Sequence, residues 1–486
     1  MKFHWLLALV VLVLIVAVVA FLADTFSSQP GSPTARRAAA SPAVLVRNWP
    51  GDADSSAIDV ALDGEGNIYV IGNYAGQADS KAAEATEGEF NAAVYLTRLS
   101  PTGETQWTRT WTGSPQAVMT DNNGNVYVTG FFEGTVDFDP GPQRQARGST
   151  AGNMVFLVKY DPPGQFQWVK AWGDVRLDRI ARIAIDDLNK ICVAGLFTMP
   201  LYVTEALEQG LGEESARHKV SLHKFDSSGN MEWMFTGSAF DLGLLLGLGV
   251  DGGGNAYLLA CHHGETDTES PASGCSCGEA FVTKFGIDGE QLWTGPLPRT
   301  EGRMCHAELT VGDSDNIYVA GDTIGDSGSS QNAQEAGADN QGGRPGAFVA
   351  ALDPSGSSLW IKSWGGAEMI RVTGIATGAD KGVYVTGFYS GSMVPDGGRG
   401  EARTLTSRGS GPDSYLVILD SDGVPGEAYA WGGDGGEYAY GLAVQVQGAA
   451  FVTGDYHGTV EADFVQLAGL TPKDGAYVVK VVRRGG

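Results

Sequence analysis

One phrase of apolar and polar positions recurs along the chain. A loosely alternating apolar run leads into a polar turn of Asp, Gly and Asn, and then into a strand of the form aromatic-Val-x-Gly. Its copies end at Gly72, Gly130, Gly195, Ala260, Gly321, Gly387 and Gly454, so successive ends lie 58 to 67 residues apart. A second phrase follows each copy: a short apolar strand, a turn, and a strand ending in an aromatic residue. Examples are AVYLTRLSPTGETQWTRTW (93–111) and AFVAALDPSGSSLWIKSW (347–364). Asp and Asn cap their own backbone and tolerate left-handed turns, Gly supplies positive φ, and Val, Tyr, Phe and Trp suit half-buried pleated strands. Each repeat therefore predicts two hairpins, or four strands. No internal segment reads as a long amphipathic helix.

A four-stranded sheet repeated radially is a propeller blade, and one blade buries its faces only by stacking on its neighbours. The expectation is an all-β, seven-bladed β-propeller over residues 44–486. Its repeats run roughly 50–111, 112–172, 173–236, 237–297, 298–364, 365–431 and 432–486. The last repeat stops at VVKVVRRGG, after its third strand, and AVLVRNW (43–49) has the form of the missing fourth. The sequence thus predicts that residues 44–49 complete the last blade, pairing near 476–482 and closing the ring.

The repeat resembles the bacterial seven-bladed β-propeller (SBBP) repeat. The matching pieces are Asp121-Asn-Asn-Gly-Asn-Val-Tyr-Val-Thr-Gly130, Gly134-Thr-Val-Asp-Phe-Asp-Pro-Gly141, and the junctions Trp364-Gly-Gly and Trp431-Gly-Gly. The copies ending at Gly195 and Ala260 depart most, with Lys190 in place of the turn Asn-Gly and Ala260 in place of the terminal Gly. The WD40 signature of Gly-His and Trp-Asp dipeptides is absent. The resemblance implies an exported propeller and carries no activity with it, because a fold does not fix a function.

Composition narrows the partners. Seventy glycines in 486 residues fit many tight turns. Thirty-two basic against 57 acidic residues give a net charge of −25. A nucleic-acid binder needs a basic stripe, and none is present. An acidic surface is well solvated and attracts cations or basic partners. Met1 and Lys2 precede an unbroken apolar run of 19 residues, Trp5–Ala23. That length favours a membrane anchor over a cleaved signal peptide, although Val18-Val19-Ala20 resembles a cleavage site. Residues 24–43 read as a flexible tether. The propeller is then expected outside the cytoplasm as a monomer, with membrane contact through residues 1–23 alone.

Strand parity places the a–b and c–d turns on one face and the long b–c connections on the other. These connections span roughly 73–91, 131–153, 196–218, 261–279, 322–345, 388–412 and 455–474. Three are acidic, carrying Asp79, Glu84, Glu87 and Glu89, then Glu205, Glu208, Glu213 and Glu214, then Glu265, Asp267 and Glu269. Cys261, Cys275, Cys277 and Cys305 reach that face on adjacent blades, interleaved with His262, His263 and His306. In an oxidising compartment two disulfides are expected, joining Cys275 and Cys277 to Cys261 and Cys305 in either pairing. The same Cys and His side chains are the alternative ligands of a metal site, at a spacing that matches no standard zinc pattern. Cys192 reads as a small buried hydrophobe. Asp137-Phe-Asp139-Pro-Gly and Gly252-Gly-Gly254 read as turns, and the tryptophans as packing between blades rather than a sugar platform.

No catalytic motif or cofactor is predicted. The leading expectation is a non-catalytic propeller that binds a protein or cell-surface polymer through its long-loop face. The alternatives are a hydrolase, lyase or quinoprotein-like enzyme at the channel mouth of that face, and a structural envelope or adhesion element. Convergent His, Glu or Arg at the channel would favour an enzyme, and an apolar or glycine lining a scaffold.

Overall fold

The computed structural model describes residues 55–74, 92–139, 144–148, 154–172, 177–198, 218–238, 244–263, 277–298, 300, 303–324, 345–395, 404–462 and 474–483. The expected anchor, tether and closing strand (1–49), the acidic stretches of the long loops, and Cys275 lie outside these residues. Among the described residues every regular element is a strand, and no helix is long and apolar enough to cross a membrane.

The first sheet holds β1 (Ser56–Leu62), β2 (Ile68–Tyr74), β3 (Ala93–Leu99) and β4 (Thr105–Thr112), antiparallel and in sequence order. The second holds β5 (Ser114–Thr120), β6 (Val126–Phe132), β9 (Met154–Tyr160) and β10 (Phe166–Trp172). A two-stranded ribbon, β7 (Thr135–Asp137) with β8 (Ala146–Gly148), is inserted in it. The third holds β11 (Leu177–Ile185), β12 (Ile191–Thr198), β13 (His218–Phe225) and β14 (Met231–Ser238), and the fourth β15 (Leu244–Val250), β16 (Ala256–His263), β17 (Cys277–Phe285) and β18 (Gln291–Pro296).

The next two expected blades are not separate sheets. β19 (Arg303–Val311), β20 (Ile317–Ile324) and β21 (Gly346–Leu352) pair onto the start of β22 (Ser358–Thr377). The remainder of β22 pairs with β23 (Val383–Val394), followed by β25 (Asp413–Leu419) and β26 (Pro425–Gly433). The junction Trp364-Gly-Gly was expected to break the chain between blades. Instead β22 runs through it, kinked by register shifts at Gly365 and Ala367, so both units share one hydrogen-bonded sheet. β24 (Leu405–Thr406) adds to β23. The last sheet holds β27 (Glu437–Val444), β28 (Ala449–Tyr456) and β30 (Gly475–Val482), and β29 (Val460–Ala462) crosses back to pair with β26.

The first strands of successive units, β1, β5, β11, β15, β19, the second half of β22, and β27, surround one central channel. The chain is thus an all-β propeller. Its core is a series of apolar layers between neighbouring sheets, such as Tyr69, Leu96 and Trp111 against Val128 and Phe156.

The turn chemistry explains the repeat. In four a–b turns an Asp (Asp63, Asp121, Asp186, Asp251) takes backbone N–H groups two or four residues on. In three of them the same carboxylate also takes the hydroxyl of the strand aromatic, as Asp121 Oδ2 does from Tyr127 at 2.9 Å. The left-handed position of the third a–b turn is filled by Asn189 (φ 61°), so Lys190 is not the turn-forming residue. Asn tolerates that conformation, whereas Lys381 (φ 60°) in the sixth turn bears the steric cost of a Cβ there.

The outer c–d edges are joined by one device used repeatedly. Trp107, Trp168, Trp233, Trp293 and Trp360 of the fourth strands each lie over the glycine of the next unit's c–d turn. A Cβ on Gly164 would come within 2.8 Å of the Trp107 ring, and Gly289 and Gly423 stand likewise against Trp233 and Trp360. The indole N–H donates to that turn's backbone: Trp107 to Pro162 O (2.9 Å), Trp233 to Ile287 O (2.7 Å) and Trp360 to Ser421 O (2.9 Å). The tryptophans therefore pack between blades.

The described parts of the long loops also do structural work. Phe138, fully buried between β7 and β8, covers Trp111, and Tyr160 donates to its carbonyl at 2.7 Å. Met393 and Leu405 pack into the cluster of Trp364. Asp137 and Asp139 form a turn, with Asp137 Oδ1 accepting Asp139 N and Gln145 N.

Candidate functional site: the polar end of the central channel

The conserved form of each repeat's second strand has a geometric cause at the channel. In every unit the first strand carries a register shift opposite the residue that ends the aromatic-Val-x-Gly phrase or, in the fifth unit, one residue beyond it. The displaced strand presses a carbonyl onto that residue. A Cβ at Gly72 would lie 1.8 Å from Ser56 O, at Gly387 1.9 Å from Arg371 O, and at Gly454 1.9 Å from Tyr438 O. At these three positions no side chain fits, while the fourth unit carries Ala260 in the same place. A bulge bends its strand and re-aims the side chains beside it. Here those side chains reach the channel at the end nearest the b–c connections.

Four residues before each a–b turn, the units place Asp59, Ala117, Arg182, Gly247, Glu308, Gly374 and Gly441. Three positions are charged and four are small, which leaves room for long side chains to cross between them. Arg182 passes the fourth unit, donating to Leu246 O (3.2 Å), and pairs with Glu308 Oε1 at 2.7 Å. Arg371 Nη1 donates to His306 Nδ1 (2.9 Å) and to Asp322 Oδ2 (3.1 Å).

Three carboxylates tie one unit to the next through a backbone N–H of the neighbouring first strand. Asp59 Oδ2 accepts from Val118 (2.9 Å), Asp322 Oδ1 from Val372 (3.1 Å) and Asp455 Oδ1 from Ala57 (3.1 Å). Asp59, Arg182, His306 and Glu308 border a cavity of about 640 Å³, within the range of small-ligand sites. Toward the a–b turns the lining becomes apolar, with Leu62, Met119, Ile185, Val250, Val311 and Val444.

The enclosure perturbs these groups. Burial pushes the Asp59 carboxyl up to about 7; the Glu308 carboxylate adds to the rise, and the N–H groups of Val118 and Val60 oppose it. Burial raises Asp322 and Asp455 to about 6 each, the first opposed by Arg371 and the second by hydrogen bonds from Ser56 and Ala57. Burial also raises Glu308, against the pull of Arg182. His306 opens onto channel water, yet the surrounding wall and the charges of Arg371 and Arg182 push it down to about 4, so it is neutral at pH 7.

Among the described residues of the Cys/His set, only His306 belongs to this site. Cys261 and Cys277 form a disulfide beside the paired strands β16 and β17. Cys305 is also disulfide-bonded, and its partner lies outside the described residues, where Cys275 falls. A sulfur held in a disulfide is not a thiolate ligand, and His306 Nδ1 is engaged by Arg371. The side chains of His262 and His263 lie outside the described residues. Among the described residues no group of three His, Cys, Asp or Glu is placed to hold a metal. Cys192 is free and buried, with burial pushing its thiol up to about 12.

Apart from His306, the channel residues were missed in the sequence. The available signal is a charged side chain inside an otherwise apolar first strand, in the same column of aligned repeats.

No protein-family profile matches the chain. It is 25% identical over 207 residues to the uncharacterized WD repeat-containing protein L264 of Acanthamoeba polyphaga mimivirus, covering 36% of this chain. The chain spans about 15% of that curated relative's length. Among solved structures it is similar to YCF48 from Cyanidioschyzon merolae (12% identity, 90% of this chain, 98% of that one, TM-score 0.38). It is similar too to a protein of unknown function from Bacteroides caccae (10% identity, 70% and 89%, TM-score 0.33). Likenesses this weak assign no activity to the chain.

Proposed function

We propose that the protein is a seven-bladed, extracytoplasmic binding propeller whose recognition site is the polar end of the channel. The observation that carries this reading is the convergence of Asp59, Arg182, His306 and Glu308 on a cavity of about 640 Å³ at the long-loop face, with Arg371 bonded to His306. Seven first strands around the channel support the blade count. The sheet β27–β28–β30 holds three strands among the described residues, which leaves a place for residues 44–49 to close the ring. An anchor at residues 5–23 would hold the propeller at the membrane, and kinship with SBBP-type repeats fits the turn and junction motifs.

The ligand is a protein segment or surface polymer that presents polar groups into the channel. A binding role suits the geometry better than catalysis, because most of the charged groups are already engaged: Arg182 with Glu308, Arg371 with Asp322, and Asp59 with two backbone N–H groups. The enzyme reading is favoured by one observation, the Asp59 carboxyl poised at about 7 beside Glu308, where a group can exchange protons at neutral pH.

The test is retention of cell-surface proteins and polymers by the full chain, compared with Arg182→Ala and Arg371→Ala. Retention should fall in both variants while the melting temperature changes little. Equal retention by all three would move recognition from the channel to the loops, and turnover of a retained polymer, lost in Asp59→Asn, would establish the enzyme.

A further inference from the structure

A second site stands apart from the channel, at the junction of the last two units. Three backbone segments meet there: Arg408–Asp413 ahead of β25, Gly432–Glu437 between β26 and β27, and His457–Val460 after β28. They touch through glycines. A Cβ on Gly409 or Gly411 would lie 2.4 or 2.1 Å from the carbonyl oxygens of Gly433 and Gly435. One on Gly433 or Gly435 would lie 1.5 or 1.9 Å from those of Thr459 and His457. Bare backbone and its carbonyl oxygens therefore crowd this place.

Two carboxylates are buried in it, and both are 0% exposed. Asp413 lies against Gly432, whose Cβ would meet its Cγ at 2.1 Å. It accepts the backbone N and the guanidinium of Arg408, each at 3.0 Å. Glu437 grips the adjoining residue, with Oε2 accepting Gly433 N at 3.0 Å. The two acids thus flank one peptide unit. The other Glu437 oxygen, Oε1, is buried and has no hydrogen-bond partner. An ionised carboxylate with a bare oxygen is costly in a dry interior, and Arg408 is already engaged by Asp413.

A proton on Glu437 would remove the charge, and so would a cation shared with the carboxylate. A cation satisfies the bare oxygen directly. Calcium takes six to eight oxygens, and backbone carbonyls and water commonly supply most of them. This agrees with the absence of a third acidic side chain close enough to share a metal, among the described residues.

We propose that this junction holds a hard cation of the calcium type, bound by Glu437 Oε1 and the Asp413 carboxylate, with carbonyl oxygens of the glycine-rich segments and water completing its coordination. The electrostatics agree. Burial and the neighbouring Asp413 push Glu437 up to about 8, with Asp434 adding to the rise and Arg408 and the Gly433 N–H opposing it. An arriving cation would displace the proton. The site pins the β26–β27 connection to the segments beside it, and so fastens the last two units together.

The experiment uses the full chain stripped with EDTA and titrated with CaCl₂, MgCl₂ or TbCl₃. Trp431 directly precedes Gly432 and serves as the sensitiser for Tb³⁺ luminescence. The expected result is a saturable Trp-sensitised Tb³⁺ signal displaced by Ca²⁺, and a Ca²⁺-dependent rise in Tm. Glu437→Gln should weaken Ca²⁺ by at least ~10-fold. If that variant does not fold, Glu437→Asp, which keeps the charge and shortens the reach, should weaken Ca²⁺ as well. Absence of both responses in the unaltered chain, or a response unchanged by substitution at Glu437, overturns the proposal.

Discussion

The outer rim and the inner channel of this propeller are built from the same repeats by opposite rules. At the rim one contact recurs: Trp107, Trp168, Trp233, Trp293 and Trp360 each lie over the c–d turn glycine of the next unit, while the sixth unit carries Glu427 in that place. At the channel, the shared feature is the bulge, and what it presents differs from unit to unit. One column of the repeat holds Asp59, Arg182 and Glu308 in three units and Ala or Gly in the other four. Most rim junctions face the same task of joining one blade to the next, so one solution is reused five times. The channel is a single space shared by all units, so a large side chain in one requires a small one in another.

This contrast can be broken by substitution. The largest effect is expected at the glycines opposite the bulges. Gly387→Ala forces a Cβ onto Arg371 O and should cost about 2–4 kcal/mol in denaturant melts; a loss below about 1 kcal/mol would mean that the bulge yields readily. Next comes the rim. Trp360→Ala removes ring packing on Gly423 and the bond to Ser421 O, and should cost about 2 kcal/mol. Combined with Trp107→Ala in a distant unit, the losses should add, and strong non-additivity would show that the rim acts as one body.

The channel should respond less. Arg182→Ala removes a partly exposed pair with Glu308 and should change stability by under about 1 kcal/mol while abolishing ligand retention. A loss as large as that of Trp360→Ala would make the channel a structural feature.

A pH slope tests the channel separately. The Asp59 carboxyl is raised from 3.8 to about 7 on folding, so the folded state holds its proton more tightly. Its contribution is fully present below about pH 4 and is lost as pH rises to about 7. Asp59→Asn should gain stability relative to the unaltered protein across that window. Asp322, Asp455 and Glu437 are raised too and remain in the variant, so the slope should lessen without vanishing. An identical slope in both proteins would show that Asp59 does not titrate there.

The rim and the turns were legible in the sequence because they use the same residue types at the same spacing in unit after unit. Asp121 and Gly130 announce a turn and a strand end wherever they recur. The channel was nearly illegible for the complementary reason. Arg182 and Glu308 lie far apart in the chain and resemble ordinary strand residues, and only their shared column sets them apart. His306 was singled out, but as a companion of cysteines rather than as the partner of Arg371. Glu437 likewise gave no sign that one of its oxygens would be buried without a partner.

What the amino-acid sequence determined by itself is local: where strands begin and end, which residues turn the chain, and that the units must stack to bury their apolar faces. Tertiary structure alone decided which side chains meet: the bond between Cys261 and Cys277, the continuous β22 through Gly365 and Gly366, the ring that joins Arg182 to Glu308, and the convergence of three glycine-rich segments around Asp413 and Glu437. Turn and strand preferences act over a few residues and can be read along the chain. Distances across the channel depend on every unit between the two partners, and they are fixed only when all the units are in place.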